Sequence, residues 1–250
     1  MKVLSIDFDY FQQVTEEQVS SLYPDGIDNP TELSELIWGD HYAFHEEELK
    51  AIGIMQDELD SLEKLLLEQD TSCSVMIANS HRHIYDFILE NRDDEKIGLV
   101  NIDMHHDMMN DNPNLDCGNW IKHLLNEETE RGNKVNLAWI ANPISLETYG
   151  LEKVFGGEDK RFKGLVQNSI ESIKDENFDI IFLCRSDTWT PPHLDKYFTE
   201  ICDLMKDHFE SIKIEKGIDK PRTQYQRYAE EYRAMINKFK HEQRKDAIEK

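Results

Sequence analysis

Positive charge is what this chain has least of relative to its opposite: 28 lysines and arginines stand against 51 aspartates and glutamates, a formal net charge of -23. A surface that negative repels phosphate, which argues against DNA, RNA or an anionic membrane as the main partner and favours a basic ligand. Cysteine is scarce too. The four present, Cys73, Cys117, Cys184 and Cys202, lie far apart and form no Cys-x-x-Cys pair. They indicate neither a zinc knuckle nor a disulfide framework, and are expected to be reduced, mostly buried thiols. No apolar run approaches the roughly 20 residues that span a bilayer, and Asp7 interrupts the stretch where a signal peptide would keep its apolar segment. The expected location is therefore the cytoplasm. Internal repeats and low-complexity tracts are also missing.

What is present is enough apolar material for a sizeable core: 250 residues, 39% of them hydrophobic, suit a single α/β domain over the whole chain. Continuous apolar runs at 2–8, 73–79, 97–103, 135–141 and 178–184 fit strands covered on both faces, as in a parallel sheet. Between them, Leu49, Ile52, Met55, Leu59, Leu62 and Leu66 recur at helical spacing, as do Leu194, Phe198, Ile201, Met205 and Phe209 after Pro191-Pro192. This alternation predicts a three-layer αβα fold with a mostly parallel, doubly wound sheet, whose ligands bind at the carboxyl ends of the strands. Residues 24–48 read as a long connection or lid, and 216–250 as a charged C-terminal helix.

The polar residues just beyond the strands carry the chemistry. GLVNIDMHHDMMNDNP places Asp103, His105 and Asp107 two apart, on one side of an extended chain, with His106 facing the other way. Two hard oxygen ligands around one imidazole, with no thiolate nearby in sequence, suit Mn²⁺ or a similar divalent ion better than structural zinc. The plain alternative is an acidic loop with capping residues, a role open to Asp111 and Asn112. IDFDYF delivers Asp7 and Asp9 with the same spacing at another strand end. Buried carboxylates brought together in this way repel one another unless a cation or a proton intervenes. A third segment, ANSHRHIYDF, sets His81 or His83 at a strand-to-helix turn.

Together, SHRH, NIDMHHD, CGNW, IDFDYF and RSDTWTPP resemble the peptide arginases of the arginase/agmatinase (ureohydrolase) superfamily, over roughly residues 1–11 and 75–200. The order is permuted: ordinary arginases carry the Asp-x-Asp segment after Asp-x-His-x-Asp, whereas here it opens the chain. The resemblance implies two Mn²⁺ ions, one held by His81, Asp103, Asp107 and Asp7, the other by His105, Asp103, Asp7 and Asp9. It implies hydrolysis of arginine side chains to ornithine and urea, on an arginine-containing precursor peptide in ribosomal-peptide modification. Asn119 falls where the family has a Gly-Asn segment near the substrate, and His123 is the candidate proton shuttle or, alternatively, a surface helix position. Asp187, in the loop after the strand at 178–184, either contacts the guanidinium or caps a turn, with Trp189 as a stacking wall or half-buried core. His41 and His45, four apart, offer a second metal pair or a solvated lid. Rival readings are a one-zinc deacetylase of the same fold, a dehalogenase-like phosphatase using Asp7 and Asp9, and a non-catalytic, metal-stabilised module that binds basic peptides.

Overall fold

In the computed structural model, which describes residues 1–24, 28–92, 96–109, 113–149, 166–167 and 169–248, the five apolar runs form β1 (Lys2–Asp7), β4 (Ser74–Ala78), β5 (Ile97–Asp103), β6 (Val135–Ala141) and β8 (Ile180–Cys184). With the short edge strands β7 (Val166–Gln167) and β9 (Ile212–Ile214) they make one sheet, ordered β7-β6-β5-β1-β8-β4-β9. All neighbouring pairs are parallel. Two-residue strands β2 (Gln12–Gln13) and β3 (Gly53–Ile54) pair separately, antiparallel.

Burial on both faces explains why the strands read as unbroken apolar runs. Leu4, Ile6, Val75, Ile77, Ile181 and Leu183 pack on one side with α3 (Gln56–Leu67) and α7 (Asp195–His208). Val3, Met76, Leu99, Leu137, Trp139 and Phe182 pack on the other with α4 (His83–Asn91) and α5 (Trp120–Glu130). The fold is therefore the three-layer αβα arrangement expected from the alternation. From β1 at its middle, the sheet grows through β5, β6 and β7 to one side and through β8, β4 and β9 to the other. The carboxyl end of β1 thus opens onto the switch point where such sheets bind ligands.

Three expectations change. The periodic run from Leu49 to Leu66 is not one helix: α2 (Thr31–Lys50) ends first, Gly53 and Ile54 pair with β2, and α3 starts at Gln56. A hydrogen bond from Met55 N to Phe11 O ties down the break, so pairing with a distant segment overrides local periodicity. The stretch at 24–48 is mostly helix rather than lid, with a bend at His45 (φ -129°, ψ 28°). The C-terminal helix begins at Gln224, not Lys216. Residues 25–27 of the supposed lid lie outside the described residues. Among the described residues, no helix is long and apolar enough to cross a membrane, and Cys73, Cys117, Cys184 and Cys202 are all free thiols.

α2 packs lengthwise against α8 (Gln224–Ile248), with Gly39 set against Tyr225 and Tyr228. A Cβ at that position would sit 2.4 Å from Cβ of Tyr228 and 3.1 Å from the carbonyl oxygen of Tyr225. Only glycine lets the backbones approach this far. Substituting Gly39→Val is expected to lower stability by about 1–3 kcal/mol, the usual cost of overpacking, seen as a lower urea midpoint with an unchanged m-value.

Candidate metal centre

Each strand end delivers its ligand in a different way. β1 stops at Asp7, which caps the turn of 3₁₀ helix at Phe8–Phe11: its Oδ1 accepts the backbone N–H of Asp9 at 3.1 Å. Asp9 in turn receives the Met104 N–H on Oδ1 at 3.2 Å, stitching this turn to the one after β5. Asp103 closes β5, accepting from His105 N at 2.7 Å and from the Asn101 side-chain amide at 3.2 Å. His81 stands on the turn between β4 and α4, its ring 5.8 Å from that of Phe182 and inclined only 4° to it.

These side chains converge into two groups, Asp7–His81–Asp103 and Asp9–Asp103–His105, each with donor atoms close enough to surround one cation. His81 Nδ1 lies 2.9 Å from Asp107 Oδ2, 3.1 Å from Asp103 Oδ2 and 3.3 Å from Asp7 Oδ2. His105 Nδ1 lies 3.0 Å from Asp9 Oδ2 and 3.6 Å from Asp103 Oδ1. Asp103 therefore turns one oxygen to each histidine. Ligand bonds of about 2.0–2.2 Å at right angles hold neighbouring donors about 2.8–3.1 Å apart, close to these spacings.

Two buried atoms test whether a cation fits. His81 Nδ1 and Asp9 Oδ2, one in each group, make no hydrogen bond of acceptable geometry, although both residues are almost wholly buried. Orphaned polar atoms of this kind are costly, and a cation between them removes the cost. The titration behaviour agrees. Burial, with repulsion from Asp7 and Asp103, pushes the Asp9 carboxyl up to about 8. Burial and the charge of Asp103 likewise hold Asp107 well above the ordinary carboxylate range. Burial also pushes Asp103 up, but hydrogen bonds and charge from His105 and His81 outweigh it and keep this carboxyl low. Without a cation, the cluster holds protons that a cation would displace.

Of the supporting shell, only Trp120 lies in one of the sequence motifs, CGNW, and its role was not visible there. Ser5, two residues before Asp7 on the same face of β1, meets His81 Nε2 at 2.5 Å. With a cation on Nδ1, the ring proton would sit on Nε2 and donate to the Ser5 hydroxyl. The Trp120 indole N–H donates to Asp107 Oδ2, and that of Trp139 to the Asp103 carbonyl at 3.0 Å. Among the described residues, the only non-glycine positions with left-handed backbone are Asp107 (φ 49°) and Ser186 (φ 57°), and both line the pocket above the cluster. Strained backbone of this kind gathers at functional sites. The pocket has a volume of about 200 Å³, and Met109, Cys117, Gly118 and Trp189 complete its walls.

Other residues singled out from sequence stand elsewhere. His106 packs near Trp139, and His83, half-buried at the start of α4, belongs to neither ligand group. Asp187 does not face the pocket: Arg185 Nε donates to its Oδ1 at 2.5 Å and Thr31 to its Oδ2 at 2.5 Å, and the buried carboxylate is spent on them. Asn119 is likewise consumed by its own loop, accepting from Asp116 N and donating to the Asn114 carbonyl, both at 2.9 Å. His123 sits on α5 with its ring 6.4 Å from that of Tyr85, outside the pocket lining, because a helical turn carries it off the strand ends. His41 and His45 do not pair; His41 Nδ1 contacts the Leu22 carbonyl, and His45 an exposed Glu48. Asp111 and Asn112 lie outside the described residues.

The raised Asp9 carboxyl fixes the sign of a pH effect. Its folded value of about 8 exceeds the ordinary 3.8, so the stability its proton confers on the metal-free protein is complete at low pH and lost as pH rises through about 8. Mn²⁺ should therefore raise the melting temperature far more near about pH 8 than near about pH 5, and EDTA should reverse the gain. Ser5→Ala should weaken Mn²⁺ binding by about 10–100-fold, measured by calorimetric titration, because the histidine loses the partner that orients it.

The chain matches no family model, no curated protein and no solved structure.

Proposed function

We propose that the protein is a binuclear, manganese-dependent hydrolase that converts arginine side chains of a peptide to ornithine with release of urea, as the peptide arginases do. The observation that carries this reading is the pair of ligand groups sharing Asp103, with one orphaned donor in each, at the floor of a pocket. Two such groups favour two ions over the single zinc of a deacetylase. Held there, divalent ions would supply Lewis acidity and lower the pKa of a bound water.

The chain's own residues do the rest. Asp103 offers an oxygen to each site, Asp7 and His81 complete one, and Asp9 and His105 complete the other, with Asp107 against His81. Permutation of the motif order is immaterial, because β1 and β5 are neighbours and Asp7 and Asp103 emerge side by side. The mainly apolar walls suit the methylene stem of an arginine, and the net charge of -23 steers a basic peptide toward the pocket, an effect that salt weakens. In this reading the protein works in the cytoplasm, where free thiols persist, with neither nucleic acid nor membrane as partner.

Incubated with Mn²⁺ and arginine-containing peptides, the protein should remove about 42 Da per modified arginine and release urea in equal amount. Metal analysis should find two ions per chain. Asp103→Asn should abolish turnover and bind less than one. A protein saturated with Mn²⁺ that leaves every arginine peptide unchanged would overturn the assignment.

A further inference from the structure

A guanidinium keeps its positive charge at any physiological pH and calls for a carboxylate acceptor. Beyond the ligand set, the pocket is lined by Met109, Cys117, Gly118, Ser186 and Trp189, none of them charged. Asp187 is spent on Arg185 and Thr31, and Asp116 Oδ1 caps the Gly118 N–H at 3.0 Å. A different carboxylate stands beside the turn that carries His81.

Asp28 lies between α1 (Glu16–Leu22) and α2, and Asn29 and Thr31 just after it reach the loop that follows β8. Asn29 N donates to Thr188 Oγ1 at 3.1 Å, the Thr31 hydroxyl to Asp187, and the Ser80 hydroxyl to Asp28 Oδ2. Ser80 immediately precedes His81, so Asp28 is tethered one residue from the ligand cluster. On the pocket wall, the Cys117 thiol feels the charge of Asp28 more strongly than that of Asp107, Asp116 or Asp7. Asp28 is half-buried; its Oδ2 takes the Ser80 hydroxyl, its Oδ1 makes no hydrogen bond among the described residues, and the charges of His83 and Arg82 act on the carboxyl. Two divalent ions would neutralise Asp7, Asp9, Asp103 and Asp107, leaving Asp28, with Arg82 and His83 in its neighbourhood, as the carboxylate held beside the turn that carries His81.

We propose that Asp28 is the substrate-recognition residue, its free carboxylate oxygen accepting N–H groups of an arginine guanidinium that enters over the metal centre. This rests on the guanidine-hydrolase reading and supplies the contact that Asp187 cannot make.

The test is calorimetric titration of the Mn²⁺-loaded full chain, on ice, with N-acetylarginine methylamide and with its citrulline counterpart, which has the same shape without the charge. Urea is assayed in the same samples. The wild type should bind the arginine ligand about tenfold or more tighter than the citrulline one. Asp28→Asn should lose that preference while keeping its Mn²⁺ stoichiometry and far-UV spectrum, and Asp28→Glu should retain part of it. Asp28→Ser carries the same expectation if the asparagine variant does not fold. Undiminished arginine preference in the neutral variant overturns the proposal, as does a wild type indifferent to the charge. Urea release with a KM unchanged by Asp28→Asn removes Asp28 and leaves the hydrolase reading intact. Asp28-dependent binding without urea keeps Asp28 and removes the hydrolase reading.

Discussion

Parallel pairing of β1 with β5, with Ile6 opposite Ile102, is the constraint on which the rest of the site depends. Strands in a sheet lie about 4.8 Å apart, so this register brings Asp7 and Asp103 out of the same sheet edge as neighbours. Asp9 and His105 follow one turn later, tied to each other's strand by the bond from Met104 N to Asp9. Four carboxylates and two imidazoles then share a small volume, buried except where His105 and the pocket open it. Such a concentration of like charge is tolerable only with protons or cations inside it. The raised Asp9 and Asp107 carboxyls and the orphaned atoms of His81 and Asp9 express the same fact in two ways.

A second buried ionic network holds the part of the pocket wall formed by Ser186 and Trp189. Arg185 and Asp187 pair at the end of β8, and Arg222 clasps Asp195 through Nε and Nη2 while donating to the backbone carbonyls of Asp187 and Thr190. The loop that carries Ser186 and Trp189 is thereby fixed from beneath by a residue more than thirty positions later. Burial pushes Asp187 upward, yet the charges of Arg222 and Arg185 keep it ionised. Buried charges paired this completely give geometric definition more than net stability. Here the defined element is the part of the wall that carries Ser186 and Trp189, and the Trp38 indole N–H adds α2 to it by donating to the Asp187 carbonyl at 2.9 Å.

How much of this was legible depended on the range of the interaction. The five long strands announced themselves because burial on both faces demands unbroken apolar runs. β9 did not, since Ile-Lys-Ile at a sheet edge, flanked by charge, looks like any surface stretch. The break at Gly53 inside a helical period was hidden for the same reason: its cause is a pairing with Gln12 and Gln13 some forty residues earlier. In the site, closely spaced Asp and His residues were conspicuous, and Trp120 closed the CGNW motif without showing its role, whereas Ser5, Arg222 and Asp28 were single unremarked positions. Ser5 alone left a signal, as a hydroxyl on the ligand face of an apolar strand.

The sequence by itself determined the strand set, the alternation that makes a three-layer sheet, and the residue types gathered at its carboxyl edge, because periodicity and ligand spacing are local properties of the chain. Only the tertiary structure decided which of those residues meet. It brought Asp7 and Asp9 to Asp103 and His105, turned His81 inward while leaving His83 outside, and withdrew Asp187 into an arginine pair. The reason is physical: strand order and register depend on contacts between distant segments, and whether a charge is free or spent depends on partners that no local pattern names.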